Sequence, residues 1–241
     1  MLLGAKGRMG ETIAAAAAEA GAEITAGLDL GDDIAQHIKD CDVVIDFSHP
    51  NVSSELVRVC RDAEKPAVIG TTGHSQEERA AIEQLAQSVA VVLSPNFSVG
   101  VNALFWLTRK AAQMLGENFD LEVTEIHHRL KKDAPSGTAK KLAEILCEER
   151  GLDYRKNVRH GREGLVGERS ANEIGVHSIR GGDVVGDHTV TFAGAGERLE
   201  LSHKAASRET FALGALRAAQ WVVDKPPGLY SMEDVLGLKA L

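Results

Sequence analysis

The sequence predicts a protein of two parts, a doubly wound parallel α/β half followed by an α+β half. Within the first hundred residues, short and almost wholly apolar segments such as DVVIDF alternate with helical segments, as expected for parallel strands covered on both faces. Beyond this point the strands alternate apolar and polar residues, as in LEVTEI. The 241 residues, with 44% hydrophobic content, can bury one large core or two smaller ones.

The first half begins with a glycine-rich turn and then alternates helices with strands. The expected helices cover 11–20, 48–61 and 75–87, and the expected strands cover 22–28, 42–47, 67–70 and 89–93. Ser75 and Glu78 have the spacing of a capping box at the start of the third helix. Strands that alternate with helices imply a parallel sheet.

The second half combines long helices with strands that are joined by glycine-rich turns. The expected helices cover 98–115, 136–150 and 210–223, and the expected strands cover 121–126, 176–179, 187–192 and 198–203. We interpret the last three strands as antiparallel, because turns containing glycine separate them. His177, His188 and His203 lie on these strands, and we interpret them as structural or interface residues.

The composition argues against several classes of function. A formal net charge of −8 is unfavourable for general nucleic-acid affinity, which depends on phosphate neutralisation by Lys and Arg. No segment approaches the roughly 20 apolar residues of a membrane span, and no signal peptide is evident. Cys41, Cys60 and Cys147 lack CxxC spacing and fit free thiols in a reducing cytosol. We therefore expect a cytoplasmic protein without nucleic-acid or membrane partners.

Three glycines, Gly4, Gly7 and Gly10, form a GxxGxxG turn ahead of the first helix. Glycine permits a sharp turn and a close approach of backbone to a pyrophosphate, and the helix adds free amides and a positive dipole end. The pattern alone is weak evidence. Asp29 follows the last glycine at about 20 residues, the usual offset of a ribose-binding carboxylate. A solvated loop acid is the alternative interpretation of Asp29, and we favour the dinucleotide site.

Only Met1, Leu2 and Leu3 precede this turn, whereas strands usually run for about five or six residues. Either the first strand is unusually short, or the natural start lies upstream of Met1. We favour the second interpretation, under which this chain binds cofactor more weakly and is less stable than a version extended by several apolar residues.

The segment EIHHRLKKDAPSGT concentrates cations in an acidic chain. Its basic residues are His127, His128, Arg129, Lys131 and Lys132. A solvated surface loop is the ordinary interpretation of such a run. Here Pro135 to Thr138 open a helix whose free amides form an anion site, so the segment can hold carboxylates. Both histidines can titrate near neutral pH and Lys131 can donate a proton, whereas the spacing of metal ligands is lacking and we expect no metal.

Several sequence blocks occur in order along essentially the whole chain: GAKGRMG, IDFSHP, VIGTTG, SPNFSVGVN, EIHHRLKKDAPSGTA and RGGDVVGDHTVTFAG. Together they resemble the family of 4-hydroxy-tetrahydrodipicolinate reductases, the dihydrodipicolinate reductases of bacterial lysine and diaminopimelate synthesis. The block HHRxKxDAPSGTA is specific to that family rather than to dinucleotide folds in general.

The resemblance implies a fold and a reaction. It implies a Rossmann-type parallel-sheet dinucleotide-binding domain, residues 1–98 with 209–241, and a second α+β mixed-sheet domain for substrate binding and oligomerisation, residues 99–208. It also implies hydride transfer from NAD(P)H to a cyclic dicarboxylate, which gives tetrahydrodipicolinate, and assembly as a homotetramer.

The matching motifs imply roles for individual residues. His127 and Lys131 would be catalytic, with Lys131 as the proton donor and His127 as a supporting acid or electrostatic group. His128, Gly137 and Thr138 would bind substrate carboxylate. The cofactor-binding residues would be Gly4, Ala5, Lys6, Gly7, Arg8, Met9, Asp29, Gly70, Thr71, Thr72, Ser94, Pro95, Asn96 and Phe97.

Two alternatives keep the fold and change the function. An amino-acid dehydrogenase would share the two-domain plan, but the HHRxKxDAPSGT block argues against it. A regulatory protein that binds NADH without turnover would have no need of His127, Lys131 and the turn at Ser136, all of which are present.

The acid in the ribose site predicts the cofactor preference. The Asp29 carboxylate accepts hydrogen bonds from a ribose 2′-OH and repels a 2′-phosphate. Leu30 follows it, where family members that use both cofactors often carry a basic residue. We expect NADH to be preferred, with NADPH as the second candidate. Steady-state kcat/KM values for both cofactors test this, and a tenfold advantage of NADPH, about 1.4 kcal/mol of transition-state preference, would contradict it.

Overall fold

The computed structural model describes residues 1–240, which form two compact units. The first unit contains Met1–Val99 and the chain from Arg208 onward, and the second unit contains Gly100–Ser207. Among the described residues, no helix is both long and apolar enough to cross a membrane.

The helices and strands follow one another in three stretches. The first contains β1 (Leu2–Leu3), α1 (Arg8–Ala17), β2 (Gly27–Leu28), α2 (Ile34–His37), β3 (Val44–Asp46), α3 (Ser53–Asp62), β4 (Ala67–Ile69), α4 (Gln76–Leu85) and β5 (Ala90–Leu93). The second contains α5 (Val99–Leu115), β6 (Asp120–His127), α6 (Gly137–Arg150), α7 (Tyr154–Asn157), β7 (Val158–His160), β8 (Ile174–Arg180), β9 (Gly186–Gly194) and β10 (Glu197–Ala205). The third contains α8 (Glu209–Val222), β11 (Gly228–Tyr230) and α9 (Met232–Val235). Short 3₁₀ helices cover Ile38–Asp40, Pro50–Val52, Gly116–Asn118 and Leu238–Ala240.

The sheet of the first unit has the strand order β11-β5-β4-β3-β1-β2, and all of its neighbouring strands are parallel. Strand β2 lies on one side of β1, and β3 lies on the other side. The direction in which strands are added to the sheet therefore reverses between β1 and β3. In open α/β sheets, ligands bind at the carboxyl ends of the strands beside such a reversal. The turn after β1 and the loop after β3 lie at this edge.

Alternate residues of the strands in the first unit face opposite helical layers. Leu3 and Val44 pack in one apolar cluster with residues of α3 and α4, and Leu2 and Ile45 pack in another with residues of α1 and α8. Burial on both faces explains why these strands are nearly continuous apolar runs in the sequence.

The central strand β1 has only two residues. Leu2 nevertheless donates its N–H to the Ala26 carbonyl at 2.9 Å, and Ile45 donates its N–H to the Met1 carbonyl at 2.9 Å. The Met1 ammonium group donates to the Val43 carbonyl at 3.0 Å. Backbone hydrogen bonds therefore connect this segment to both of its neighbours.

Several boundaries in the first unit differ from the sequence prediction. Helix α1 begins at Arg8, not at residue 11, and Gly7 is its extended N-cap with φ −75° and ψ 159°. The strands β1 to β5 are shorter than the apolar runs that predicted them. The short elements α2, α9 and β11 were not predicted, because four or three residues are too few to show a hydrophobic period.

The sheet of the second unit has the order β10-β9-β6-β8-β7. Strands β6, β8 and β7 are mutually parallel, and β9 is antiparallel to both β6 and β10. Helix α6 covers one face of this sheet, where Leu142 and Leu146 pack in one apolar cluster with Val123, Val190 and Phe192. The predicted fold class, a parallel-sheet α/β part with a mixed-sheet α+β part, is confirmed.

The pairing of one strand differs from a simple antiparallel succession. Residues 176–179 belong to β8, which runs opposite to β9 as predicted but does not pair with it. Instead β8 pairs in parallel with β6, with Val176 opposite Val123, and with β7. The physical reason is the connection: α6, α7 and β7 intervene between β6 and β8, and a long crossover returns the chain to the end of the sheet at which it started.

Gly10 is packed too tightly for a side chain. A Cβ added there would lie 2.7 Å from the Ala5 Cα and would overlap the Gly4 carbonyl oxygen, whereas a Cβ added to Gly7 would have only that oxygen nearby, at 3.1 Å. Because overpacking costs about 1–3 kcal/mol, we expect Gly10→Ala to lower Tm by roughly 5 °C. The matched control Gly7→Ala should change Tm by less than about 2 °C. Thermal unfolding followed by circular dichroism measures both, and equal Tm values for the two variants would contradict the packing argument.

Candidate active site

The turn between β1 and α1 brings two backbone segments into close contact. Gly4 has φ 77°, and a Cβ there would lie 2.8 Å from the carbonyl carbon of Phe47, which follows β3. The Gly7 N–H donates to the Gly4 carbonyl at 3.0 Å. Gly7 offers no side-chain cap to α1, so the first amides of this helix are available to an anionic group.

Asp29 is held directly against this turn. Both of its carboxylate oxygens accept from the Lys6 N–H at 3.2 Å, and its own N–H donates to an Asp32 carboxylate oxygen at 2.8 Å. Asp29 lines a cavity of about 520 Å³ together with Gly4 and Gly7. The acid and the glycine turn therefore belong to one concave site, as a nucleotide ribose next to its phosphates would require. Leu30 lines the same cavity.

A second cavity, of about 820 Å³, adjoins the start of α1. Arg8 and Met9 line it from the helix, and Gly70, Thr71 and Thr72 line it from the loop after β4. The glycine turn and the VIGTTG block, which are far apart in sequence, thus meet at the carboxyl edge of the sheet.

A buried carboxyl group, that of Asp46 at the end of β3, lies beneath these loops. Its Oδ1 atom accepts from the Ser48 N–H at 3.0 Å and from the Ser48 hydroxyl at 2.5 Å, while Oδ2 has no hydrogen-bond partner. Burial raises the pKa of Asp46, although hydrogen bonds from Ser48 and Thr71 act to lower it. The Ser48 N–H also donates to Thr71 Oγ1 at 3.0 Å. Asp46 therefore connects the loops after β3 and β4, a role that the sequence analysis missed.

The remaining predicted cofactor residues, Ser94 to Phe97, follow β5. The Ser94 hydroxyl donates to the Asn96 carbonyl at 2.7 Å, and Phe97 is buried with its ring centroid 5.5 Å from that of Phe47. These four residues do not line the two cavities described above. Pro95 is exposed, and this loop stays a predicted cofactor contact.

In the second unit, the buried carboxylate of Glu125 organises the segment around the histidine pair. Glu125 lies on β6, whose buried residues alternate with partly exposed ones along the strand. The Arg180 guanidinium donates to both carboxylate oxygens at 2.9 Å, and the Ser136 N–H donates at 3.3 Å. Burial acts to raise the pKa of Glu125, but hydrogen bonds from Arg180, Ser178 and His127 outweigh it and lower the pKa to about 2.

His127 is the last residue of β6 and is 8% exposed. Its Nδ1 atom lies 2.5 Å from a Glu125 carboxylate oxygen. A Cβ added to Gly186 would lie 2.9 Å from His127 Nε2, so glycine at this position leaves room for the ring. The pKa of His127 lies below its usual value, chiefly because the ring is buried. The charges of Lys131 and Arg180 act in the same direction, and Glu125 opposes them. The fold therefore disfavours the protonated form of His127.

Helix α6 begins beside this cluster. Ser136 is its N-cap, and the Ser136 hydroxyl accepts from the Ala139 N–H at 3.2 Å. His188 Nε2 lies 2.9 Å from the same hydroxyl oxygen, and the ring centroids of His188 and His127 are 5.1 Å apart. The predicted carboxylate-binding residues Gly137 and Thr138 are the first two residues of this helix.

Lys131 and His128 lie in the loop between β6 and α6. The Lys131 ammonium group donates to both carboxylate oxygens of Asp133 at 2.9 Å, and this pair lowers the pKa of Asp133. The His128 N–H donates to the Val184 carbonyl at 2.7 Å. The basic segment is thus fixed at both of its ends, by β6 and by α6.

The sequence analysis missed Glu125 and Arg180 and interpreted His188 only as a structural residue. One signal was present. In the alternating strand LEVTEIH, Glu125 occupies the same face as Leu121 and Val123, and a charged residue at a buried position is rare unless it is paired. The partner Arg180 could not be found in this way, because it lies 55 positions away.

A separate charged cluster lies elsewhere on the second unit. Glu122 accepts from Arg162, Arg169 and His177, and hydrogen bonds from Arg162 and His177 outweigh burial and lower its pKa to about 2. His177 thus contacts the Glu122 carboxylate through Nε2 at 2.7 Å. Over residues 1–240, no group of three or more His, Cys, Asp or Glu side chains has the arrangement of a metal site.

The buried His188 predicts a pH dependence of stability. Burial lowers its pKa to about 3, and the charge of Lys131 acts in the same direction. An unfolded histidine binds a proton near about pH 6.5, so the unfolded chain holds more protons in mild acid and acid favours unfolding. Between about pH 7.5 and 5.5, we expect the free energy of unfolding to fall by about 1 kcal/mol more in the wild type than in His188→Gln.

Urea unfolding at the two pH values measures this difference. His160→Gln is the matched control, because His160 is exposed on β7 and should leave the wild-type loss unchanged. An equal loss of stability in the wild type and in His188→Gln would contradict the burial of a neutral His188.

Comparison with known proteins covers both units. The family model for the N-terminus of dihydrodipicolinate reductase matches residues 1–97, and the model for its C-terminus matches residues 100–236. A 4-hydroxy-tetrahydrodipicolinate reductase of Akkermansia muciniphila is 55% identical over 242 aligned residues, which cover 100% of this chain and 98% of the relative. One of Geobacter sulfurreducens is 47% identical over 259 aligned residues, which cover 98% of this chain and 97% of the relative.

A solved structure agrees with this grouping. The dipicolinate-bound dihydrodipicolinate reductase from Paenisporosarcina sp. TG-14 superposes with a TM-score of 0.79 at 26% identity, over 95% of this chain and 96% of that one. Matches to both family models and to relatives near 50% identity extend over essentially the whole sequence. The chain therefore belongs to the dihydrodipicolinate reductase family.

Proposed function

We propose that this chain catalyses the NAD(P)H-dependent reduction of 4-hydroxy-tetrahydrodipicolinate to tetrahydrodipicolinate, in which the 4-hydroxyl group leaves as water, a step of lysine and diaminopimelate synthesis. The observation that carries the proposal is the segment from His127 to Thr138. It places the half-buried Lys131 and the buried His127 ahead of a helix N-terminus, and the Glu125 carboxylate accepts hydrogen bonds from both ends of the segment. Such a segment can both bind carboxylates and deliver a proton.

The first unit would hold the dinucleotide. Its glycine turn fits the group, because Gly4 leaves no room for a Cβ next to Phe47 and the amides at the start of α1 are uncapped. Residues Gly4 to Met9 would contact the pyrophosphate and Asp29 the ribose, while Gly70 to Thr72 and Ser94 to Phe97 would contact the nicotinamide. The bound nicotinamide supplies the hydride. The Asp29 carboxylate and the neutral Leu30 support a preference for NADH over NADPH.

The second unit would hold the substrate. Its two carboxylates need positive compensation in a chain of net charge −8, and the loop between β6 and α6 provides it. We assign His128, Gly137 and Thr138 to carboxylate binding, because backbone amides at a helix N-terminus and an imidazole N–H donate to anions.

Lys131 would be the proton donor. Hydride addition to an imine-conjugated ring leaves negative charge on the substrate, and the Lys131 ammonium group gives up a proton from Nζ to neutralise it. Its present partner Asp133 is 64% exposed at the side chain, so this ion pair is weak and a substrate carboxylate can replace it.

We further propose that the chain acts as a homotetramer in the cytoplasm. Strand β10 is an edge strand with exposed residues on both faces, and such edges are usually covered in native proteins. The cysteines Cys41, Cys60 and Cys147 are free and buried, which fits a reducing compartment. Light scattering that gives the mass of one chain would contradict the tetramer.

A coupled assay tests the reaction itself. NADH or NADPH is mixed with the protein and the product of dihydrodipicolinate synthase, and absorbance at the nicotinamide band is followed. Oxidation only in the presence of that product supports the proposal. Cofactor binding without substrate-dependent oxidation would contradict it and favour a regulatory role.

Replacement of Lys131 tests the proton donor. We expect Lys131→Ala to lower kcat by roughly 100-fold or more, since a missing general acid typically costs that much. Lys132→Ala is the matched control, because Lys132 is exposed in the same loop and makes no ion pair with residues 1–240; its kcat should stay within about twofold. A near-wild-type kcat in Lys131→Ala would remove Lys131 from the mechanism.

A further inference from the structure

Arg180 lies next to the proposed catalytic histidine, although 53 positions separate the two residues in the sequence. Parallel pairing of β6 with β8 sets Arg180 opposite His127 at the ends of both strands. The guanidinium bonds both oxygens of Glu125, and it also donates to the carbonyls of Asp133 and Ile179 at 2.7 Å. These hydrogen bonds fix both the position and the charge of the guanidinium group.

The charges around His127 compensate one another. Glu125 on β6 is paired with Arg180 on β8, and Lys131 in the adjoining loop is paired with Asp133. His188 on β9 contacts the His127 ring and is buried, and burial lowers its pKa to about 3. A neutral His127 therefore leaves this buried region without net charge, whereas a protonated His127 would add a positive charge that no anion balances.

We propose that Arg180 and Glu125 act together as positioning residues that hold His127 as a neutral imidazole, with its hydrogen on Nδ1 and its lone pair on Nε2. The Glu125 oxygen 2.5 Å from Nδ1 accepts that hydrogen, which fixes the tautomer and the ring orientation. Nε2 faces the backbone at Gly186. His127 then acts as a hydrogen-bond acceptor, and the proton is supplied by Lys131. This inference rests on the proposed function for its catalytic meaning, but not for its geometry.

The pKa of His127 distinguishes a positioning role of Arg180 and Glu125 from a purely structural ion pair. Without Arg180, the buried Glu125 carboxylate has no cationic partner, and protonation of the neighbouring His127 would provide one. Its pKa should therefore rise by about one unit or more. Without the Glu125 charge, His127 faces Arg180 alone, and its pKa should fall. The two single substitutions thus shift the pKa of His127 in opposite directions.

The test is an NMR titration of the His127 ring in Arg180→Met, Glu125→Gln and the double variant. Comparison with His127→Gln assigns the resonance among the nine histidines. We expect a rise in the first variant, a fall in the second and a return towards the wild-type value in the double variant, where both charges are gone. Arg180→Lys keeps the positive charge and should leave the titration within about half a unit of the wild type.

Shifts in the same direction, or no shifts, in Arg180→Met and Glu125→Gln would overturn the proposal. If Arg180→Met does not fold, Arg180→Gln retains one donor to Glu125 and carries the same expectation. The titration is performed without substrate or cofactor, so its outcome is independent of the coupled assay. Opposite shifts in a protein without substrate-dependent oxidation would retain the pair and reject the proposed reaction.

Discussion

The candidate active site depends on the hydrogen bonds and the ion pair of the buried Glu125 carboxylate. One side chain accepts from the end of β8 through Arg180, from the start of α6 through the Ser136 N–H and from His127. A buried carboxylate without hydrogen-bond partners costs much free energy. Contacts between β6, β8 and α6 are therefore stabilised, because together these elements supply the partners of Glu125. The loop that carries His128 and Lys131 starts and ends on these elements. Its geometry is therefore a consequence of a residue that lies beneath it.

The first unit depends on a comparable constraint, made by backbone instead of charge. The turn after β1 and the loop after β3 approach so closely that no side chain fits at Gly4, and Asp46 connects the second of these loops to Thr71. The Asp29 carboxylate accepts a hydrogen bond from the Lys6 N–H of the same turn. A dinucleotide site of this kind is formed by backbone groups whose positions are set by sheet packing, with few side chains contributing charge.

Much of this could be predicted from the sequence, and the failures have physical causes. Apolar runs and the Ser75 capping box predicted the longer helices and the strands β2 to β5 of the first unit, because burial on both faces leaves a strong local pattern. The parallel pairing of β8 with β6 was not predicted, because strand pairing depends on the path of the whole connection. The sequence analysis expected that His127 can titrate near neutral pH, although the alternation in LEVTEIH places it on the same face as the buried Leu121 and Val123.

The sequence by itself determined which chemical groups are available: the glycine turn with Asp29, the basic segment from His127 to Lys132, and the helix that Ser136 begins. These are local features, since a turn, a cap and a run of cations are formed by neighbouring residues. Only the tertiary structure decided which charged partners those groups have and how their side chains are oriented. The pairing of Arg180 with Glu125 spans 55 positions and depends on the parallel register of β6 and β8. The lowered pKa of His127 follows chiefly from its burial, which is a property of the folded chain and not of any segment.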